Sequence, residues 1–197
     1  MESEGYFESI DATIEDQEFG NGPDIVQAMS GGGIDIAMFG IVPAMIAIDR
    51  GIAAQVTAAN IKEPMAILSH DSFGPLWEEH GSDAFAVWAE ENGEQFTFGT
   101  FPQGSVPDVL LRYWLQQEGV DPAEDVTITE INGANAVFQA IANDEIDGAS
   151  IMEPVPSRVA EEGFSYETFR TSAEIMPGQP AAVTLMTDSV RESSVAT

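Results

Sequence analysis

The sequence predicts an α/β protein of two related lobes, on three observations. One segment is echoed later at constant spacing: Ile25-Val26-Gln27-Ala28-Met29 aligns with Val137-Phe138-Gln139-Ala140-Ile141, Ile34-Asp35-Ile36-Ala37 with Ile146-Asp147-Gly148-Ala149, and Gly51 with Gly163, all without a gap. Such internal similarity marks a duplicated structural unit. Each copy also alternates helix and strand signals, the pattern of sheets flanked by helices. Finally, apolar residues make up 44% of the 197, which is enough to bury a core in each lobe rather than leave an acidic coil.

The elements follow in chain order. Gly22-Pro23 opens a short helix, since proline is tolerated in the first turn, and Ser30-Gly31-Gly32-Gly33 closes it. Ile34 to Phe39 has the length and apolar character of a buried strand. Gly40-Ile41-Val42-Pro43 turns into a second helix that Gly51 ends. His70 and His80 fall in a stretch that reads as loop-rich. Asp83 to Glu91 is an amphipathic helix with Phe85, Trp88 and Ala89 on one face, and Asn92-Gly93 ends it. Phe96-Thr97-Phe98-Gly99 is a strand, and Val106 to Glu118 a helix. In the second copy a helix stops at Asn143-Asp144, the strand is Ile146 to Met152, and Glu153-Pro154 makes the turn. Beyond Met176-Pro177-Gly178, Ala182 to Met186 reads as a strand returning to the first lobe. Lobe 1 is thus residues 1–93, lobe 2 residues 94–177, and residues 178–197 the return, with mixed, mostly parallel sheets. Both ends read as cut: Met1 to Phe7 resembles the end of a helix, and Asp188-Ser189-Val190-Arg191 the start of one.

Charge is the most unusual feature of the composition. Thirty-four carboxylates face six basic side chains, of which only Lys62 is a lysine, for a net charge of −28. A chain so charged repels itself in dilute buffer, and screening over about 3 Å in 1 M salt removes most of that repulsion. The acids are scattered, which favours adaptation to concentrated salt over a cationic partner. No basic patch is present to neutralise phosphates, which argues against nucleic acid as a partner. The absence of cysteine excludes disulfides, thiol catalysis and cysteine-based metal sites. The longest apolar stretch, Ile34 to Ile48, is interrupted by Asp35, Gly40 and Pro43 and is too short to span a bilayer. No signal peptide is visible at the start.

In open α/β sheets ligands sit beyond the carboxyl ends of strands, where turns lead into helix N-termini. The leading candidate is Thr100-Phe101-Pro102-Gln103-Gly104-Ser105-Val106-Pro107-Asp108. Ser105 stands at the N-cap with Asp108 as a capping-box partner, Gly104 permits close backbone approach, and the helix start offers amides and partial positive charge to an anion or polar head group. A well-capped helix that binds nothing accounts for the same residues. Gly40, Ile41 and Val42 form the matching turn of lobe 1, and a tight turn explains them as well as a contact does. Glu153-Pro154 is the counterpart in the second copy; its carboxylate would hold an amine or a cation, or be one more surface acid. Asn132-Gly133 would hydrogen-bond a ligand or merely turn the chain. No catalytic or metal-ligating set emerges: the two histidines lack metal-ligand spacing, and neither a Gly-x-Ser-x-Gly elbow nor a phosphate loop appears. No cofactor is expected.

The residues Phe101-Pro102-Gln103-Gly104-Ser105, Leu111-Arg112-Tyr113-Trp114-Leu115, Gly119-Val120-Asp121-Pro122 and Asp125-Val126 resemble the second lobe of nitrate/sulfonate/taurine/bicarbonate-type substrate-binding proteins of ABC importers. The likeness continues through Ile146-Asp147-Gly148 and Glu153-Pro154, and in the first lobe through Gly5-Tyr6-Phe7 and Gly33-Ile34-Asp35-Ile36-Ala37. It implies a type II periplasmic-binding-protein fold whose first strand and C-terminal helices are missing here. It also implies cleft-lining roles for the loop at Gln103, Gly104 and Ser105 and for the turn at Glu153 and Pro154. Nitrate-type members tend to carry a histidine where Val106 stands, so Glu153 would better suit an amine-bearing ligand or a metal-bridged anion.

The function expected is capture without chemistry: a small polar or anionic ligand favours the closed state, which engages a membrane permease. A monomer is expected, outside the cytoplasm, with a signal or lipid anchor upstream. Two rivals share the fold: an enzyme of thiamine-pyrimidine or menaquinone-precursor synthesis, which would need a histidine or nucleophile at a strand end, and the effector-sensing domain of a transcription regulator.

Overall fold

The computed structural model describes residues 13–195; the expectations for Met1 to Phe7 lie outside them. In chain order the elements are α1 (Gly22–Ser30), β1 (Ile36–Gly40), α2 (Ile41–Asp49), β2 (Ala54–Lys62), β3 (Met65–His70), α3 (Phe73–His80), α4 (Ala84–Asn92), β4 (Thr97–Thr100), α5 (Val106–Gln117), β5 (Thr127–Glu130), α6 (Ala134–Ala142), β6 (Gly148–Met152), α7 (Val155–Glu162), β7 (Tyr166–Thr171), α8 (Ser172–Ile175), β8 (Pro180–Thr187) and α9 (Asp188–Val195). They form two sheets, β1-β8-β2 and β5-β4-β6-β3-β7. The duplication is kept in the order of elements: α1 and β1 recur as α6 and β6 at the spacing of the sequence echo.

Strand direction follows from how the chain passes between lobes. β4 pairs in parallel with β5 and β6, whereas β3 runs antiparallel to β6 and β7 and β8 antiparallel to β1 and β2. β3 and β8 are the strands that each lobe receives from the other. They enter at the edge where the lobes face and therefore run away from it, while the remaining strands run toward it. The sheets are mixed, as expected, but this reversal confines parallel pairing to β4 and its neighbours.

The first crossing between lobes lies at Glu63-Pro64 and not near residue 93, because β3 pairs with β6 and β7 in the five-stranded sheet. The stretch read as loop-rich is in fact a fully buried strand followed by a helix. Met65-Ala66-Ile67-Leu68-Ser69 is buried throughout, a short apolar run between turn residues that cannot show amphipathic alternation. β8 lies between β1 and β2 in the three-stranded sheet.

Each sheet has its own core. On one face of the five-stranded sheet Phe73, Phe85, Phe96, Phe98 and Trp114 interlock, with Phe73 at 4.5 Å from Phe96 and 4.9 Å from Phe85, centroid to centroid. The other face packs Val137, Phe138 and Ile141 of α6 and Val155 and Val159 of α7 on Leu68, Ala149 and Ile151. In the three-stranded sheet Ala37, Phe39, Val183 and Leu185 pack under Val26, Met29, Ala44 and Ala47 of α1 and α2, while Ile36 and Met38, paired with Met186 and Thr184, face outward. Among the described residues no helix is long and apolar enough to cross a membrane.

Candidate functional site

Because β4, β5 and β6 are parallel neighbours, the turns leading into α5, α6 and α7 share one edge of the five-stranded sheet. The end of β1 leads into α2 in the other lobe. These edges face each other. A Cβ built on Gly40 would lie 2.6 Å from the Val106 side chain, and one on Gly104 would lie 3.3 Å from Ile46. Asn21 Nδ2 donates to Asn132 Oδ1 at 2.9 Å across the same gap. Ile41 and Val42 pack against an apolar cluster of Met65, Val106, Leu110 and Ala181 that joins the lobes.

The α5 turn is closed by its own side chains. Ser105 is buried and its Oγ accepts from Asp108 N, as an N-cap should. The Asp108 carboxylate reaches one residue further back than a capping box, accepting from Gly104 N at 3.1 Å, and it is paired with Arg112 at 2.7 Å. Asp108 is 1% exposed. An internal carboxylate thus occupies the positive end of this helix, where an anion was expected to bind. Gln103 is exposed, whereas Phe101 is buried in the α6–α7 core, facing away from solvent.

The Glu153 carboxylate likewise folds onto its own helix, accepting from Ser157 N at 3.3 Å, with Pro154 exposed at the N-cap. This leaves α2 and α6. Their N-caps are Gly40 and Gly133, and neither helix has a side-chain cap. Asn132, beside Gly133, is exposed and reaches Asn21. At these two helix starts no N-cap side chain takes up the first-turn amides, which leaves the positive end of the helix dipole without a capping oxygen of its own.

Asn21 and Gly20 are the edge residues that sequence reasoning missed. The signals were present: Asn21-Gly22-Pro23-Asp24 has the composition of a helix start, and the repeat pairs Gly20 with Asn132 and Asn21 with Gly133.

Far from the gap, a cavity of about 300 Å³ is lined by Asp83, Phe85, Ala89, Val120 and Glu124, at the ends of β4 and β5 where the strands begin. His70 proves to be the last residue of β3, but β3 runs away from the gap, so His70 sits at the opposite end, 5.5 Å from the Tyr166 ring. Its Nδ1 lies 2.7 Å from Ser72 Oγ. Nearby, burial raises the Asp147 carboxyl above its ordinary range, opposed by the Thr97 amide that donates to it. Among the described residues no group of three or more potential ligands could hold a metal ion.

Similar proteins share both sequence and fold. The bicarbonate-binding protein CmpA of Synechococcus elongatus is 29% identical over 99 residues, half of this chain and 21% of that protein. The nitrate/nitrite binding protein NrtA of a Nostoc species is 26% identical over 147 residues, 72% of this chain and 33% of that protein. The chain therefore spans between a fifth and a third of these relatives. Among solved structures, the ligand-binding component of an ABC-type import system from Staphylococcus aureus superposes with a TM-score of 0.70 over 96% of this chain and 62% of its own, at 19% identity. The aliphatic sulphonate binding protein SsuA of Escherichia coli gives 0.67 over 91% and 56%, also at 19%. A family model described as NMT1-like matches residues 1–196, and this chain belongs to the NMT1-like family.

Proposed function

We propose that this chain is the solute-capturing part of an ABC importer, holding a small oxyanion of the nitrate, bicarbonate or sulfonate kind between its lobes and presenting the closed form to a membrane permease. The observation that carries this reading is the edge-to-edge arrangement of the lobes: the start of α2 lies against Val106 of α5, and Asn132 beside the start of α6 is bonded to Asn21 of the other lobe, with no side-chain cap on α2 or α6. Two helix starts facing one space stabilise negative charge with backbone amides alone, which suits a chain with six basic residues. Ile41, Val42, Ala134 and Asn135 supply the amides. The α5 start, with Asp108 already on it, serves as a wall of the site. Glu153 serves to cap α7, so an amine is not the favoured ligand.

The bicarbonate- and nitrate-binding proteins among the relatives favour transport over the two rival readings, and the position of His70 supplies no general base at the gap. The net charge of −28 supports work in concentrated salt as a monomer, and the likeness to solute-binding proteins supports a place outside the cytoplasm. Titration calorimetry in 2 M KCl against nitrate, bicarbonate, methanesulfonate and taurine tests the proposal. Saturable 1:1 binding of at least one anion is expected. No heat from any of them, or turnover of one, would refute it.

A further inference from the structure

We propose that Asn21 and Asn132 form a clasp that holds the lobes together before any solute arrives, so that a solute completes a closure the chain has already begun. The inference rests on the solute-capturing reading above only for its purpose; the clasp itself is a statement about the solute-free protein.

Asn21 is 7% exposed and its amide is fixed in place. Its Oδ1 accepts from Asp24 N at 3.0 Å, and its Nδ2 donates both to Asp24 Oδ2 at 2.8 Å and to Asn132 Oδ1 at 2.9 Å. The side chain is therefore aimed across the gap by its own helix cap and has little rotamer freedom left to lose when the lobes meet. Asn132 is exposed, and the bond to Asn21 is the contact its side chain makes across the gap. The two residues stand one position apart in the repeat, which matches Gly20 with Asn132 and Asn21 with Gly133, so the starts of α1 and α6 meet as related segments. Gly20 is part of the fit, since a Cβ there would lie 2.9 Å from Asn132 Oδ1.

The crossing strands supply a pivot for the clasp. Where they pass, Glu63 N donates to Gln179 O at 3.2 Å and the Glu63 carboxylate accepts from Gly178 N. The connection is thus pinned at one place and the lobes are clasped at another. A neutral hydrogen bond of this kind shifts an open–closed ratio roughly two- to tenfold. Because affinity scales with the closed fraction, it tightens solute binding by up to the same factor without touching the solute.

The chain has no cysteine, so spin labels on Gln27→Cys of α1 and Gln139→Cys of α6, both exposed, report the lobe separation directly. Pulsed electron–electron distance measurements are made without solute in 2 M KCl. The parent should give a single narrow distribution. Asn132→Ala, which leaves the α1 cap intact, should move population to longer distances. Asn21→Ser, which keeps a cap but is too short to cross, should do the same, as should Gly20→Ala, which displaces Asn132. Unchanged distributions in all three would overturn the clasp. So would a loss of nitrate affinity in Asn132→Ala with unchanged solute-free distances, since Asn132 would then act on the solute. The distances are read without solute, so the result stands whether or not nitrate binds.

Discussion

The two lobes carry copies of one helix–strand–helix unit, yet they bury it differently. The five-stranded sheet is covered on both faces, by an aromatic cluster on one side and by α6 and α7 on the other. Among the described residues the three-stranded sheet is covered on one, and Ile36 and Met38 are 47% and 57% exposed on the other. Among the described residues the second lobe is thus a platform packed on both faces that supplies three helix starts to the gap, and the first a thinner jaw that supplies two. The same contrast holds at the gap itself. On the platform the α5 start is held by a buried carboxylate and its arginine, whereas the α2 start is held by packing alone.

Replacing Phe73 tests the platform hardest. This fully buried ring touches Phe85, Trp88, Phe96 and Phe169, and Phe73→Ala should cost about 3–5 kcal/mol in urea unfolding. A cost near zero would break the contrast between lobes. Next, Arg112→Met strands a carboxylate that is 1% exposed. It should cost about 3 kcal/mol, mostly from the unpaired buried charge, and Asp108→Asn in the same background should recover part of it. In the thin jaw, Leu185→Ala removes a fully buried side chain from a sheet open on one side. About 2–3 kcal/mol is expected, at the low end for such changes because an open face lets the site relax. Hydrogen exchange should show β8 opening before β3 in the parent protein.

The smallest effect concerns Asp147, whose carboxyl is raised by burial. A raised folded-state value means the neutral form is the better tolerated one. Its contribution is fully present below the ordinary carboxylate range and is lost as pH rises through the raised value. Asp147→Asn keeps an acceptor for the Thr97 amide, so it should flatten that decline. The variant's stability relative to the parent should grow as pH rises from below the ordinary carboxylate range through the raised value, and a constant difference would show that burial is not what shifts this group.

The repeat made much of the fold legible. Matching Ile25–Met29 to Val137–Ile141 located two helices, two strands and the turns between them, because a duplicated unit reveals itself without alignment to anything else. What stayed hidden was the traffic between lobes. β3 is buried on both faces, so its sequence carries no alternation, and β2, although most of it is exposed, carries no apolar stripe either; the crossing at Glu63-Pro64 was therefore placed too late. At the site, the turns were found but their states were not. Ser105 and Asp108 were recognised as a cap, yet only the geometry reveals that the carboxylate takes the Gly104 amide and that Arg112 seals it. Asn21 was invisible as a gap residue because its partner lies in the other lobe, and short-range signals report only the helix it caps.

The central claim is that a small oxyanion sits between the uncapped starts of α2 and α6. Following amide proton–nitrogen resonances during titration with the anion that gives the most heat tests this most directly. The largest shifts should fall on Ile41, Val42, Ala134 and Asn135. Shifts confined to the cavity around Phe85 and Val120, or to the α5 start at Gly104 and Ser105 alone, would contradict it.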